Sequence, residues 1–561
     1  MITKRESAPA AHRKPGEVCA LDKLLLDRIG ADKYSVVENQ DEGGKEDVMR
    51  RVLLIGLLGA LLLGLACVCV AAEEPNQGGV LRMGVVQDIT TFDPHVFSGA
   101  VYCQAQMNVY DQLITYATNG DLAPQLAVSW ETEDSQVYLF HLREGVKFSN
   151  GNPFTADDVV YSFERILNPD TVASRREAML QIDKVEAIDD LTVRITLERP
   201  NGLFLGDLAV YGCGMVDKEW AEAGGNYAEQ MMGTGPFMLS TFEKGVQYSF
   251  VRNPNYWEEG KPYLEGFVLV FIENATTRVN ALKNGEVDLA DFIPWAEMPG
   301  LSSSEEFELV TAHSTLMFVR LNTNREPLDN RLVRQALNYA IDRELINTLA
   351  WGGFGMPLKA GLIPAGTYYY SEDLERWEYN PEKARSLLAQ AGYEPQDIHL
   401  VIESMDWVGH SDSATMIREQ LASLGIDIEL KIDPIPQAVE QRQTGDYQMQ
   451  IDGQKPQTSD PDFYTNWFHS QLGGQYAAGV GFSLPILDQL LEQGRLTSDS
   501  VERQQIYYAV EALLLHEAPW IFIQYRPDGE SVANYVKGYT GLPGVTALYN
   551  QAFLENVWLD K

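Results

Sequence analysis

The residues able to do chemistry are scattered, and their spacing matches no common catalytic template. His516-Glu517 lacks the second His that a zinc-protease helix places one turn away. There is no Gly-x-Ser-x-Gly elbow and no phosphate-cradling P-loop. Gly233-Thr234-Gly235 opens like a dinucleotide fingerprint, but Met238 stands where the third Gly is required. Asp460-Pro461-Asp462 lacks the ligand spacing of a calcium loop, and His399 and His410 are out of register for a shared metal. No catalytic residue, metal ligand or cofactor is expected, and the chain reads as a binder. A secreted hydrolase is the alternative of another class, since triads assemble in space rather than in sequence.

What the chain does carry is equipment for holding a solute. Phe463, Tyr464 and Trp467 offer aromatic surface for stacking, with core packing as their competing role. Trp407 follows an apolar β-rich run, at the end of a strand where loops meet ligand. Core packing is the better reading for Trp130 and Trp257. Arg320, Arg325 and Arg526 are candidate carboxylate partners, against the commoner fate of a surface ion pair. Residues 352–357 (GGFGMP) form a loop for mobility or close approach.

Charge narrows the class of partner. Over 561 residues, 80 acidic side chains oppose 43 basic ones, for a formal charge of −37. Residues 1–72 hold ten of each sign, so residues 73–561 hold 70 acidic against 33 basic. Such a body repels phosphate backbones and anionic lipid, which disfavours nucleic acid and points to cationic or neutral solutes. The length allows two to four compact units.

The compartment is written near the amino terminus. Met49-Arg50-Arg51 precedes an apolar run of 19 residues, Val52 to Val70, closed by Val70-Ala71-Ala72. Basic head, apolar stretch and small residues before a cut after Ala72 describe a secretory signal. The run is also near the length of a membrane span, and Gly64-Leu65-Ala66-Cys67 carries part of a lipid-attachment motif. The expectation is export, with a transmembrane or lipid anchor as the alternative to cleavage. Residues 1–48 read as an over-extended or disordered start. Only Cys103 and Cys213 of the five cysteines lie beyond the cut; export permits a disulfide between them, with two buried thiols as the equal alternative.

The elements that must position these residues read as mixed α/β. Strands are expected at 79–86, 137–142, 247–252, 267–272, 399–404 and 520–525, and a strand pair within 184–198 around Asp189-Asp190. Asn150-Gly151 marks a hairpin. Thr155 is placed to cap a helix whose Val159, Val160, Phe163, Ile166 and Leu167 share a face. One helix is expected over 330–350, capped by Asp329, and another between Asn380-Pro381 and Gly392. The strand near 399–404, a helix near 413–424 stopped by Gly425 and the strand IDIELKI form a parallel crossover unit. A long helix is expected near 500–516.

Against this pattern, LAPQLAVSWETEDSQVYLFHLREGVKFSNGNPFTADDVVYSFERIL, residues 122–167, resembles the family 5 extracellular solute-binding proteins, the dipeptide- and oligopeptide-binding components of ABC importers. Further resemblances follow in order. They include Tyr110-Asp111, Gly233-Thr234-Gly235-Pro236-Phe237, Asn253-Pro254-Asn255-Tyr256-Trp257, Gly285-Glu286-Val287-Asp288, Asn322-Thr323-Asn324, Arg334-Gln335-Ala336-Leu337 and Asn380-Pro381-Glu382-Lys383-Ala384. The resemblance covers about 78–526. It implies a two-lobe α/β clamp of the type II periplasmic-binding-protein kind, the larger lobe carrying an extra sub-domain near 124–230. Lobe I would comprise 76–312 with 527–561, and lobe II 313–526, with crossings near Ala312–Phe318 and Gln524–Pro527. A monomer that closes on a small molecule or short peptide and docks on permease subunits is implied.

The same resemblance points to site residues. Peptide-binding members hold the ligand's amino group with an Asp three residues before an Asp-Pro-Asp; here that position is Gln457, before Asp460-Pro461-Asp462. Gln accepts a hydrogen bond but cannot match an ammonium's charge. That departure leaves an oligosaccharide, an opine or a nickel chelate open as the solute. Asp460 is the alternative carboxylate, with turn formation beside Pro461 as its competing role. Phe92-Asp93-Pro94 resembles the family loop that follows the first strand and faces the cleft. The expected ligand-binding set is Phe92, Asp93, Trp407, Gln457, Asp460, Phe463, Tyr464 and Trp467.

Overall fold

The computed structural model describes residues 75–561 apart from 97–98, 119, 365–368, 375, 408, 457–459, 473–475, 477, 498 and 543–551. The expected export segment, the residues before it and Gln457 lie outside the described residues.

A mixed sheet of eleven strands organises the chain. Its spatial order begins with Asp427–Asp433, His399–Met405, Met449–Gln454, Phe307–Leu321 and Trp520–Ala533. It continues through Leu289–Ala290, Val80–Val85, Gly266–Phe271, Gln247–Arg252 and Phe237–Glu243, while Met356–Pro357 adds to the edge of 520–533. Two strands are far longer than the rest, at 15 and 14 residues, and pair antiparallel from Phe307↔Ala533 to Arg320↔Trp520. Their register slips between Ala312 and Thr315 and again between Met317 and Phe318. A slip of this kind bends a strand and raises its local twist.

The bends fall where the cores part. The largest core draws its fully buried members from Leu316 to Tyr525. The other three draw theirs from residues up to Leu301 and from Val532 onward. One of those three belongs to a sub-domain built on a separate four-stranded sheet, in the order Ala127–Thr132, Val137–Leu142, Thr192–Leu197, Ile182–Asp189. The fold is thus the two-lobed α/β architecture with an added sub-domain.

Local chemistry explains the elements. Thr155 and Asp158 close a capping box on the helix Ala156–Leu167, and Val159, Phe163 and Ile166 are buried beneath it. The Asn150-Gly151 turn closes with Gly151 N–H donating to Phe148 O at 2.8 Å, Gly151 taking φ 96°. Gly392 and Gly425 end the helices Pro381–Ala391 and His410–Leu424 in the left-handed conformation, with φ 86° and 105°. The strands 399–405 and 427–433 are parallel, as the crossover unit requires.

The region 330–350 differs from the expected single helix. It is two helices, Arg331–Tyr339 and Arg343–Ala350. The apolar period runs on through both, but Asp342 accepts from Leu345 N at 3.0 Å and starts a new helix. The first helix is capped by Asn330, which accepts from Leu332 N at 3.0 Å, rather than by Asp329. Cys103 and Cys213 are both buried and free, so the disulfide alternative is not the one adopted.

Candidate ligand site

Trp407 stands just beyond the end of the strand 399–405 and just before the helix 410–424. Its backbone forms the link, Trp407 N donating to Met405 O at 2.8 Å and Trp407 O accepting from His410 N at 3.1 Å. The ring meets residues from far along the chain. The Arg526 guanidinium lies 4.9 Å from its centroid, the Trp295 ring 5.4 Å edge-on, and the His410 ring 4.7 Å. Trp295 in turn packs on Trp351 at 4.3 Å and donates from Nε1 to Pro527 O at 3.1 Å. Half-buried Trp407 therefore sits beside the bends of both long strands.

The polar groups around it are unusually placed. His410 is 4% exposed, and neither ring nitrogen makes a hydrogen bond. Burial pulls its pKa down to about 4, with Asp452 opposing, so the ring is neutral at ordinary pH. Arg526 Nε lies 3.5 Å from Asp528 Oδ1 and has no hydrogen-bond acceptor. Asp528 accepts from Ser314 Oγ at 2.6 Å. Desolvation lowers Lys455 to about 7, against the pull of Asp528.

The other expected residues take three kinds of place. Asp460 makes the turn, accepting from Asp462 N at 2.9 Å, and is also paired with Arg503. Asp462 binds Arg495 at 2.9 Å, and burial pushes its pKa up to about 6. With Phe463 these two line a cavity of about 870 Å³ whose opposite wall includes Gln181, Asn201 and Asp207 of the sub-domain. Tyr464 is fully buried, donating to Glu511 at 2.6 Å. Trp467 packs among Phe463, Trp520 and Phe318 in the largest core. Phe92 lies in another core, edge-on to Phe242 at 4.9 Å, while Asp93 is paired with Arg165. The side chains of Phe92, Tyr464 and Trp467 are committed to packing, so their aromatic faces meet protein.

The three arginines separate in the same way. Arg325 forms an exposed pair with Asp446 at 3.0 Å. Arg320 is fully buried against Asp452, its guanidinium 4.5 Å from the Tyr476 ring. Arg526 alone of the three lies against Trp407. In the loop 352–357, a side chain at Gly355 would collide with Asn347 Oδ1 and Gln524 Nε2, at 2.6 and 2.7 Å, which makes it a close-approach loop. Sequence reasoning did not find His410 or Trp295 as neighbours of Trp407. The only signal for His410 was its place three residues on from Trp407; the helix expected near 413–424 in fact starts at His410.

Among the described residues no cluster of three or more His, Cys, Asp or Glu could hold a metal ion. None of their helices is long and apolar enough to cross a membrane.

The pattern of the bacterial extracellular solute-binding proteins, family 5 (middle), matches residues 121–476. Heme-binding protein A of Haemophilus influenzae is 29% identical over 493 residues, covering 81% of this chain and 88% of that protein. The dipeptide-binding protein of Escherichia coli K12 is 27% identical over 513 residues, covering 86% and 96%. Among solved structures, the binding protein AgaA of A. tumefaciens R10 in complex with agropinic acid is 30% identical, with a TM-score of 0.69 over 86% of this chain and 99% of that one. The chain belongs to the family 5 bacterial extracellular solute-binding proteins.

Proposed function

We propose that this protein captures a peptide-like solute between its two lobes, outside the cytoplasm, and delivers it unaltered to the permease of an ABC importer. The observation that carries the reading is the parting of the cores. Residues 316–525 pack around one core and the flanking chain around others, and the two longest strands run through both with register slips at the junction. Such an arrangement permits hinged closure on a guest. We place the lobe boundaries accordingly, with lobe I at 76–312 and 527–561 and lobe II at 313–526. Trp407 and Arg526 then lie at the inner end of the cleft, with Asp460 and Phe463 facing the sub-domain across the 870 Å³ cavity. Gln457 completes the proposed ligand contacts, with Asp93 as a supporting residue of the first loop.

The peptide-like reading is supported by the similarity to a dipeptide-binding protein. A second reading, the same scaffold holding a non-peptide solute, is favoured by one observation: Gln457 occupies the position where the resemblance predicts an Asp for the ligand's amino group. The segment 49–72 directs export in either case, and the protein acts as a monomer and not as an enzyme.

Mass spectrometry of the solute released from the native protein, with a thermal-shift panel of di- to pentapeptides, tests this. A peptide present at a hundredfold its Kd adds about 2.7 kcal/mol of stability, and it is recovered intact. Release of a solute with no peptide bond, and no shift with any peptide, would establish the second reading. Recovery of cleaved peptide would overturn both.

A further inference from the structure

The 870 Å³ cavity between the sub-domain and lobe II has charged walls that are matched within each wall and not across it. Resting on the hinged reading above, we propose that this seam is an acid-operated latch: a proton taken up by the facing carboxylates Asp207 and Asp460 lets the two walls close, and its loss holds them apart.

The sub-domain wall presents Asp207 from the short helix Phe204–Leu208. Its carboxylate accepts from Arg175 at 2.9 Å and from Gln181 Nε2 at 3.1 Å. The lobe II wall presents Asp460, which is paired with Arg503. Arg503 also donates to Tyr369 Oη at 2.7 Å. Both acids line the cavity, whereas Arg175 and Arg503 are buried behind them, at 8% and 5% exposure. Each acid therefore has its arginine on the far side, and the carboxylates are what the walls turn toward each other.

The remaining charges do not undo this. On the sub-domain wall, Glu177 pairs with Arg176, and Glu198 stands beside Arg199 in the chain. The Cys213 thiol donates to Asp207 O at 3.6 Å, and burial pushes its pKa up to about 11, so it is uncharged. Tyr211 acts on Arg175 rather than on the carboxylate. On the lobe II wall, Asp462 is held by Arg495, with Tyr507 Oη at 3.4 Å, and Glu492 meets His469 at 3.4 Å. Asp460 is the lobe II charge that acts most strongly on Asp207, and it adds to the rise in proton affinity that burial causes there.

The walls are free to move because they belong to different cores. They touch where Gly202 N donates to Arg495 O at 3.4 Å. Closing narrows the cavity, brings Asp207 toward Asp460 and removes their water. Both effects favour the protonated carboxyl. The closed form thus holds its proton more tightly than the open form. It is favoured as the pH falls and is lost as the pH rises through the closed-state pKa. One proton held in this way changes the open-to-closed ratio by up to about tenfold per pH unit.

Small-angle X-ray scattering from the exported protein, with no solute added, tests the latch. The radius of gyration is expected to fall between about pH 8 and about pH 5. The fall should persist in about 1 M sodium chloride, where a screening length of about 3 Å removes repulsion between surface charges. Asp207→Asn and Asp460→Asn, one on each wall, are each expected to be compact at both pH values. Asp207→Glu keeps the response, and so does Asp183→Asn at an exposed position of the same sub-domain. Circular dichroism confirms that each variant is folded. A radius that does not change with pH overturns the latch, as does a change that salt abolishes or a folded Asp207→Asn or Asp460→Asn protein with the wild-type response. None of these outcomes touches the reading above, whose own test turns on the released solute.

Discussion

Glu511 shows how strongly a single residue's surroundings govern its chemistry here. It is 1% exposed, and it accepts from Tyr464 Oη at 2.6 Å and from Ile363 N at 3.0 Å. Desolvation outweighs these bonds and pushes its pKa from 4.5 up to about 7. The folded state therefore keeps the proton through a window in which the unfolded chain loses it. The stability this contributes is complete below pH 4.5 and is lost as the pH rises through 7. Over that range the loss is about 3 kcal/mol by the linkage relation. Glu511→Gln keeps an acceptor but cannot ionise. Urea unfolding at pH 4.5 and pH 8 should show the wild type losing that much relative to the variant, and a constant difference between them would count against the argument.

At the scale of elements, the helix 156–167 depends on its first turn. Asp158 accepts from Thr155 N at 2.9 Å and from Lys218 N at 3.0 Å, so it ties the helix to a neighbouring segment as well as capping it. Thr155→Ala is expected to cost about 1 kcal/mol. Asp158→Ala, which leaves two backbone donors unserved, is expected to cost about 2–3 kcal/mol. Equilibrium unfolding of the two variants checks the order, and equal costs would show that the tie to Lys218 contributes nothing. This cap was legible in the sequence because its members lie within four residues. The helix break at Asp342 was not, because the apolar face continues past it and only a local side-chain bond reveals the new start. The candidate site divides along the same line. Trp407 could be read as following a strand, but Trp295 and Arg526 reach it only through the sheet, from 112 residues before and 119 residues after it in the numbering. The aromatic type of Phe92, Tyr464 and Trp467 was visible, whereas their burial depends on partners such as Phe242, Glu511 and Trp520 that no spacing rule connects.

The whole molecule carries a large surplus of negative charge, 70 acidic against 33 basic side chains over residues 73–561. Charges of one sign spread over residues 73–561 repel one another across distances longer than a salt bridge, and that repulsion opposes the compact state. The ion pairs that offset it act only over contact distances, and exposed pairs such as Arg325 with Asp446 are worth about 0–1 kcal/mol each. Mobile ions reach the repulsion more easily than they reach the buried pairs. The Debye length falls from about 30 Å at 0.01 M salt to about 3 Å at 1 M. Added sodium chloride should therefore relieve the long-range repulsion while leaving Arg320 with Asp452, which is shut away from solvent, nearly unchanged. Scanning calorimetry from 0.01 to 1 M sodium chloride is expected to show Tm rising by several degrees, with most of the gain below 0.2 M where the screening length changes fastest. A Tm that falls with salt would mean that attractive surface pairs, rather than the surplus of acid, dominate the electrostatics of the folded chain.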